Sequence, residues 1–278
     1  MHIKARGRLL DLSTPQVMGI LNVTPDSFSD GGTHNRYHDA LEHVAKMVQE
    51  GATIIDIGGE STRPGAAEVS VSEELDRVVP VVEAIAKRFD VWISVDTSKA
   101  QVMAEAAKAG MHIINDIRSL HEPDALSVAA KTGLPVCIMH MQGQPRTMQE
   151  APDYENVVCE VQAYLEGEIA RCVAAGIERQ QIILDPGFGF GKNLSHNYQL
   201  LANLEQFHNF GLPLLAGMSR KSMIGQLLNV PPQERLAGSL SCAVIAAMQG
   251  AHIIRVHDVK ETVQAMQVVQ MTLSEKEK

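Results

Sequence analysis

Thr53-Ile-Ile-Asp-Ile57, the loop Gly58-Gly-Glu-Ser-Thr-Arg-Pro-Gly65, the helical stretch Glu73–Phe89 and then Val91-Trp-Ile-Ser-Val-Asp96 form the run that decides the fold. A short apolar strand without polar alternation leads through a Gly-rich loop into a helix and back to a second such strand. Strands of this kind are buried on both faces, as in parallel sheets covered by helices. The same unit recurs on either side. Further strands are predicted at Val17–Val23, His112–Asp116, Val136–Met139, Ile182–Asp185, Leu214–Ala216 and Ile253–Val256. Helical patterns fill the gaps: Tyr37–Glu50, Ser98–Ala109, Pro123–Thr132, Tyr154–Ala175, Ser195–Phe207, Gln233–Gln249 and Val259–Thr272. Ser72 ahead of Glu73-Glu74-Leu75 reads as a helix start. Eight strands, each followed by a helix, predict an α/β chain closed into a (β/α)8 (TIM) barrel, with an open doubly wound sheet as the alternative. No Pro-, Gly- or Ser-rich linker interrupts the pattern, so residues 1–278 are read as a single domain with its core from about 15 to 272.

Composition narrows the function. The chain of 278 residues carries 24 Lys and Arg against 33 Asp and Glu, a net charge of -9, which disfavours a nucleic-acid footprint built on counterion release. At this length roughly three-quarters of the unfolded surface can be buried, so a core needs no disulfide staple. The four cysteines are scattered without C-x-x-C spacing, which fits a reduced cytoplasmic protein. Met1–Leu10 has basic residues but no apolar region after them, so it does not read as a leader, and no apolar run is long enough to span a membrane.

Nearly every strand ends in a group able to hold a ligand: Asn22, Asp56 with Glu60 beyond it, Asp96, Asn115-Asp116, His140, Asp185, Ser219 and Arg255 with His257. In a barrel these ends converge on one mouth, where the active site lies. The loops Thr24–His34 and Gly59–Val71 are rich in Gly, Ser and Thr around a few charges, which suits segments that close over a ligand. Asp185-Pro-Gly-Phe-Gly-Phe-Gly-Lys192 is like a phosphate loop, but Pro186 and Asn193 break the Walker A pattern, and nucleotide binding is rejected. Gly217–Gly225 is expected to open a short helix whose N–H groups, with Arg220 and Lys221, make an anion or carbonyl site. Arg255-Val-His257, with Arg63, could bind a diphosphate. A mouth of net positive charge is therefore expected, and Arg255 is expected to matter little to the core.

Five motifs carry a resemblance. Asn22-Val-Thr-Pro-Asp-Ser-Phe-Ser-Asp-Gly-Gly32, Asp56-Ile-Gly-Gly-Glu-Ser-Thr-Arg-Pro-Gly65, Asp185–Lys192, Ser219-Arg-Lys-Ser222 and Arg255-Val-His257 resemble the bacterial, monofunctional dihydropteroate synthases, in order from about Val17 to His257. The resemblance implies a TIM barrel that condenses 6-hydroxymethyl-7,8-dihydropterin diphosphate with 4-aminobenzoate, releasing diphosphate, with Mg2+ and as a cytoplasmic homodimer targeted by sulfonamides. It implies that Asp96, Asn115, Asp185 and Lys221 hold the pterin. It implies that Asn22, as metal ligand, acts with Arg63, Arg255 and His257 on the diphosphate. Thr62 would touch substrate, and Phe28, Pro64, Phe190 and Ser222 would frame the aminobenzoate. Among these, Asp96, Lys221, Arg255 and His257 are the implied catalytic residues. An arylamine is neutral at pH 7 and needs no base before attack, so loss of diphosphate is the hard step and an SN1-like course is expected. Two other readings stay open: a folate-dependent methyltransferase barrel sharing Asp96, Asn115 and Asp185, and a non-catalytic pterin-binding barrel. A Schiff-base aldolase using Lys221 is weaker, since that lysine shows no obvious desolvating pocket.

Overall fold

In a computed structural model, which describes residues 1–24, 33–61, 68–143, 148 and 152–276, the short apolar runs become parallel strands. They are β3 (Gln16–Asn22), β4 (Ile54–Gly58), β5 (Trp92–Asp96), β6 (Ile113–Asp116), β7 (Val136–Met139), β8 (Ile182–Asp185), β9 (Leu215–Ala216) and β10 (Ile253–Val256), preceded by β1 (His2–Ala5) and β2 (Arg8–Asp11). Strands β3 to β8 pair in chain order, and β10 pairs with both β3 and β9. A parallel bridge between Leu184 and Leu214, with the Leu184 N–H donating to the Pro213 carbonyl at 2.8 Å, brings β8 against the chain entering β9. The result is a nearly closed eight-stranded barrel. The open sheet is excluded, because its two edge strands would lie far apart.

Helices α1 (Thr33–Gln49), α2 (Val71–Arg88), α3 (Ala100–Ala109), α4 (Ala125–Thr132), α5 (Val157–Ala174), α6 (Leu194–Ala202), α7 (Ser222–Leu228), α8 (Leu236–Met248) and α9 (Val259–Lys276) surround it. Strands β4, β6, β7 and β8 are buried at every residue, which is why they read as unbroken apolar runs. Gly19 shows how closely the layers approach: a Cβ there would lie 2.6 Å from the Met47 sulfur of α1.

Three local expectations are corrected. Helix α2 is capped by Ser70, whose hydroxyl accepts from the Glu73 N–H while the Glu73 carboxylate accepts from the Ser70 N–H. Ser72 lacks an acidic residue three positions on and so cannot close that box. The helix expected over Ser195–Phe207 ends at Ala202, and a 3-10 segment, Leu204–Phe210, follows. Its start is capped by Asn193, with His196 completing the box. The N-terminus, read only for what it lacked, forms a hairpin. β1 and β2 pair across Arg6-Gly7, both with positive φ (53° and 76°), as a tight two-residue turn requires. Arg8 donates to the Val91 carbonyl at 2.9 Å, just before β5, and the side-chain amide of Gln181, just before β8, accepts from the Lys4 N–H and donates to the Lys4 carbonyl. The hairpin therefore closes the N-terminal end of the barrel, opposite the mouth.

Candidate active site

Register decides which polar residues meet. Gly58 lies beside Asp96, Asp96 beside Asn115, and Asp56 beside Ser94, so the last inward positions of successive strands share one level. The mouth is organised around Arg255 on β10. Its Nε donates to Asp56 Oδ2 at 2.7 Å and a terminal nitrogen donates to Asp96 Oδ2 at 3.0 Å. Asn115 spends its amide N–H on the same Asp56 carboxylate, at 3.2 and 3.4 Å, which leaves its carbonyl oxygen for other partners. Asp56 is fully buried and Arg255 retains 20% exposure, so the guanidinium neutralises a carboxylate that water cannot reach.

Asp185 at the end of β8 accepts from the Gly187 N–H at 2.7 Å through Oδ1. Burial raises its pKa above the ordinary carboxylate range, against the opposing pull of Lys221. Lys221 reaches over from the loop before α7. Its Nζ donates to the Phe188 carbonyl at 2.5 Å and lies 4.6 Å from the centre of the Phe190 ring. Burial lowers its pKa to about 8, with Asp185 working against the fall. The desolvation that the sequence did not reveal is therefore present. Even so, the amine is held as a hydrogen-bond donor rather than left free as a nucleophile.

Burial also lifts Asp96 to about 7, Arg255 pulling down and Asp56 pushing up. A raised carboxyl holds its proton in the folded chain where the unfolded chain has released it. Its contribution to stability is complete below about pH 4 and is lost as the pH rises through about 7. In urea titrations from pH 4 to 8, Asp96→Asn is expected to flatten the fall in unfolding free energy relative to the parent; parallel curves would refute the shift.

Other strand-end groups have local partners. Asp116 accepts from the Arg118 and Leu120 N–H groups at 2.9 and 2.8 Å and from the Ser98 hydroxyl. Glu60 faces away from the mouth, accepting from the Val69 N–H at 3.2 Å and pairing with Lys99, which also pairs with buried Glu74 at 2.5 Å. Arg220 is held by Asp258 through both carboxylate oxygens, so of the two adjacent cations only Lys221 turns into the mouth. Helix α7 starts at Ser222, and the Lys221 N–H just ahead of it bonds back to the Met218 carbonyl. His257 stands beyond β10 with its Nδ1 3.0 Å from the Ser219 hydroxyl, which also accepts the His257 N–H at 3.2 Å.

Phe190 is buried beside Lys221, Ser222 is exposed at the first position of α7, and Asn22 is exposed at the end of β3. Phe28, Thr62, Arg63 and Pro64 lie outside the described residues, as do the central parts of both Gly-rich loops. Among the described residues, Asp56, Asp96 and Asp185 meet Arg255 and Lys221, and Arg63, on which the expected positive charge also rests, lies outside them. Asp56, read only as a strand-end group, proves to be the hub. Its signal was a carboxylate within Ile54-Ile55-Asp56-Ile57, where desolvation demands a partner.

The loop after β8 shows why it is no phosphate cradle. Three of its N–H groups are engaged internally: Gly187 to Asp185, Gly189 to the Asn197 side chain at 2.6 Å and Phe190 to the Gly187 carbonyl. A phosphate loop presents such groups to its ligand.

Comparison with known proteins agrees with this geometry. Residues 18–257 match the pterin binding enzyme family. The dihydropteroate synthase of Escherichia coli K12 is 73% identical over all of this chain and 98% of its own length, and that of Haemophilus influenzae is 60% identical over 98% and 99%. The Yersinia pestis dihydropteroate synthase, solved in a sulfonamide drug complex, superposes with a TM-score of 0.95 at 70% identity, covering 99% of this chain and 100% of that one. The Xanthomonas albilineans enzyme with 4-aminobenzoic acid gives 0.93 at 47% identity and 98% coverage of both. A barrel mouth built on paired carboxylates, one amide and two cations, carried on a chain this similar throughout, leads to one conclusion: the chain belongs to the dihydropteroate synthases, transferases of folate biosynthesis.

Proposed function

We propose that the chain works as one pterin-binding domain that joins 6-hydroxymethyl-7,8-dihydropterin diphosphate to 4-aminobenzoate at this mouth by SN1-like loss of diphosphate. The observation that carries the reading is the set of side-chain atoms left over once internal bonds are counted. Asp185 keeps one carboxylate oxygen, Asn115 keeps its carbonyl, and Lys221 has N–H donors beyond the one given to Phe188. These match a pterin edge that carries N–H and amino donors beside a carbonyl acceptor. Unpaired partners at such a buried edge are costly, which would exclude other bicyclic rings.

Arg255, His257 and, outside the described residues, Arg63 would receive charge on the departing diphosphate. Asp96, when ionised, would stabilise the cation left on the pterin methylene. Phe190 and Ser222, with Thr62, Phe28 and Pro64, would line the approach of the arylamine, whose lone pair is available at pH 7.

For Mg2+, the donor set suits an ion carried largely by its substrate. Asn22 offers one exposed amide oxygen, and no group of three His, Cys, Asp or Glu among the described residues forms a cage. Mg2+ commonly binds through one or two protein groups, phosphate oxygens and water, and when bound it would supply neutralisation of diphosphate charge. We further propose a cytoplasmic homodimer, consistent with apolar Leu227, Leu228, Ile245, Met248, Val268 and Met271 exposed on α7, α8 and α9. No helix among the described residues is long and apolar enough to cross a membrane. The relationship to an enzyme solved with a sulfonamide supports the same pocket as a sulfonamide target.

Product formation from the two substrates, with and without Mg2+, tests the activity; no dihydropteroate from the folded chain would refute it. Binding is also expected to be ordered. Fixing loop residues costs roughly 1–2 kcal/mol each, more than a ligand as small as 4-aminobenzoate can offset. In calorimetry 4-aminobenzoate should bind tightly only after diphosphate, Mg2+ and a pterin are added. Equal affinity without them would mean a preformed pocket.

A further inference from the structure

Lys192, which closes the loop after β8, is 2% exposed and, among the described residues, pairs with no carboxylate. Its Nζ lies among the Gly187 carbonyl at 2.8 Å, the Phe190 carbonyl at 2.9 Å, the His140 carbonyl at 3.3 Å and the His140 Nδ1 at 2.9 Å. This is the surrounding of a bound monovalent cation, supplied covalently by the chain.

Glycines create it. Gly187, Gly189 and Gly191 all have positive φ, at 73°, 80° and 60°, so the loop coils tightly around the ammonium. A Cβ at Gly187 would lie 1.9 Å from the His140 carbonyl oxygen, and one at Gly191 would lie 2.3 Å from the Gln142 carbonyl oxygen. The two loops therefore meet backbone to backbone, and the Lys192 Nζ lies where carbonyls from both converge. Burial and Lys192 together lower His140 to about 3, so its ring is neutral and its Nδ1 can accept. Burial pushes Lys192 well down from its usual range, while Asp185 favours its charged form.

We propose that Lys192 is a positioning residue for the substrate pocket, its ammonium serving as an internal cation that holds residues 187–190 in the arrangement presenting Phe190 and Asp185 to the mouth. The links are direct. Lys192 holds the Gly187 and Phe190 carbonyls from beneath, the Gly187 N–H fixes Asp185 Oδ1, and Lys221 holds the intervening Phe188 carbonyl from above. The lysine itself stays under the loop. The pocket role rests on Phe190 lining the aminobenzoate site, as proposed above; the cation role does not.

Two measurements on the full-length enzyme separate these. In Lys192→Met, hydrogen exchange at the Gly189 and Phe190 amides should quicken about tenfold or more while amides in β4 to β7 keep their protection. The KM for 4-aminobenzoate should rise about tenfold or more, with kcat at saturation within about threefold of the parent. Lys192→Gln, which retains two N–H donors, should recover part of both effects and serves in its place if the methionine variant does not fold. Unchanged exchange in the loop would overturn the cation role. An unchanged KM in a folded variant, even with a lowered Tm, would make Lys192 a structural strut and overturn positioning. If the parent enzyme makes no dihydropteroate, the functional reading fails, and the exchange measurement still decides the cation role.

Discussion

Asp185→Asn is expected to weaken pterin binding by about 3 kcal/mol, roughly 100-fold, while the chain stays folded. Oδ1 is committed to the Gly187 N–H at 2.7 Å, and an amide oxygen would keep that bond. The group turned to the pterin then becomes an N–H donor facing the ligand's own donors. A charge-assisted bond is lost and a repulsive contact replaces it. Lys221, whose charged form Asp185 favours, also becomes easier to deprotonate. Calorimetry with a pterin measures the loss directly, and near-parental affinity in a folded variant would remove Asp185 from the pterin clamp.

Arg255→Ala should abolish most turnover and, contrary to the expectation from its place at a strand end, should also destabilise the fold. The guanidinium lies between Asp56, which is fully buried, and Asp96. Removing one partner of a buried ion pair typically costs about 3–5 kcal/mol, because the remaining charge is uncompensated. Without Arg255, which holds Asp96 down, the folded-state pKa of Asp96 rises further above its ordinary 3.8. Its stabilising contribution is then complete at low pH and lost as pH increases. The destabilisation should accordingly be larger at pH 8 than at pH 5. Urea unfolding at both values, with activity per folded molecule at pH 8, gives the answer; parental stability at both would show that the carboxylates do not depend on Arg255.

The strands were legible because parallel strands covered on both faces are necessarily short apolar runs, and Val136–Met139 and Ile253–Val256 fall at the same residues in sequence and structure. The mouth was legible for a related reason: Asp96, Asn115, Asp185 and Arg255 are polar where apolar strands end. Pairing was not. Nothing in Asp56 and Arg255, almost 200 positions apart, announces that they touch; only register around a closed barrel brings them together. The fate of adjacent cations was equally hidden. Arg220 and Lys221 diverge because Arg220 adopts a positive φ of 57° and turns to Asp258. Lys192 read as the tail of a failed phosphate motif, since sequence does not tell which way the carbonyls between glycines point. The N-terminal hairpin was missed because Arg6-Gly7 lacks the Asn or Asp that usually marks such a turn.

The pairing of β10 with β3 has a consequence for biosynthesis. Strand β3 leaves the ribosome more than 200 residues ahead of its partner, which begins at Ile253. At about 5–20 residues per second, one edge of β3 waits roughly 10–50 s for its neighbour. That edge belongs to a strand whose interior is Val17, Met18, Gly19, Ile20 and Leu21, all buried in the finished protein. The hairpin ahead of it must wait as well, since its contact at Gln181 is made only once that residue has appeared. Nascent chains therefore carry an apolar strand with one edge unpaired until Ile253–Val256 has been made, the condition under which holding chaperones determine yield.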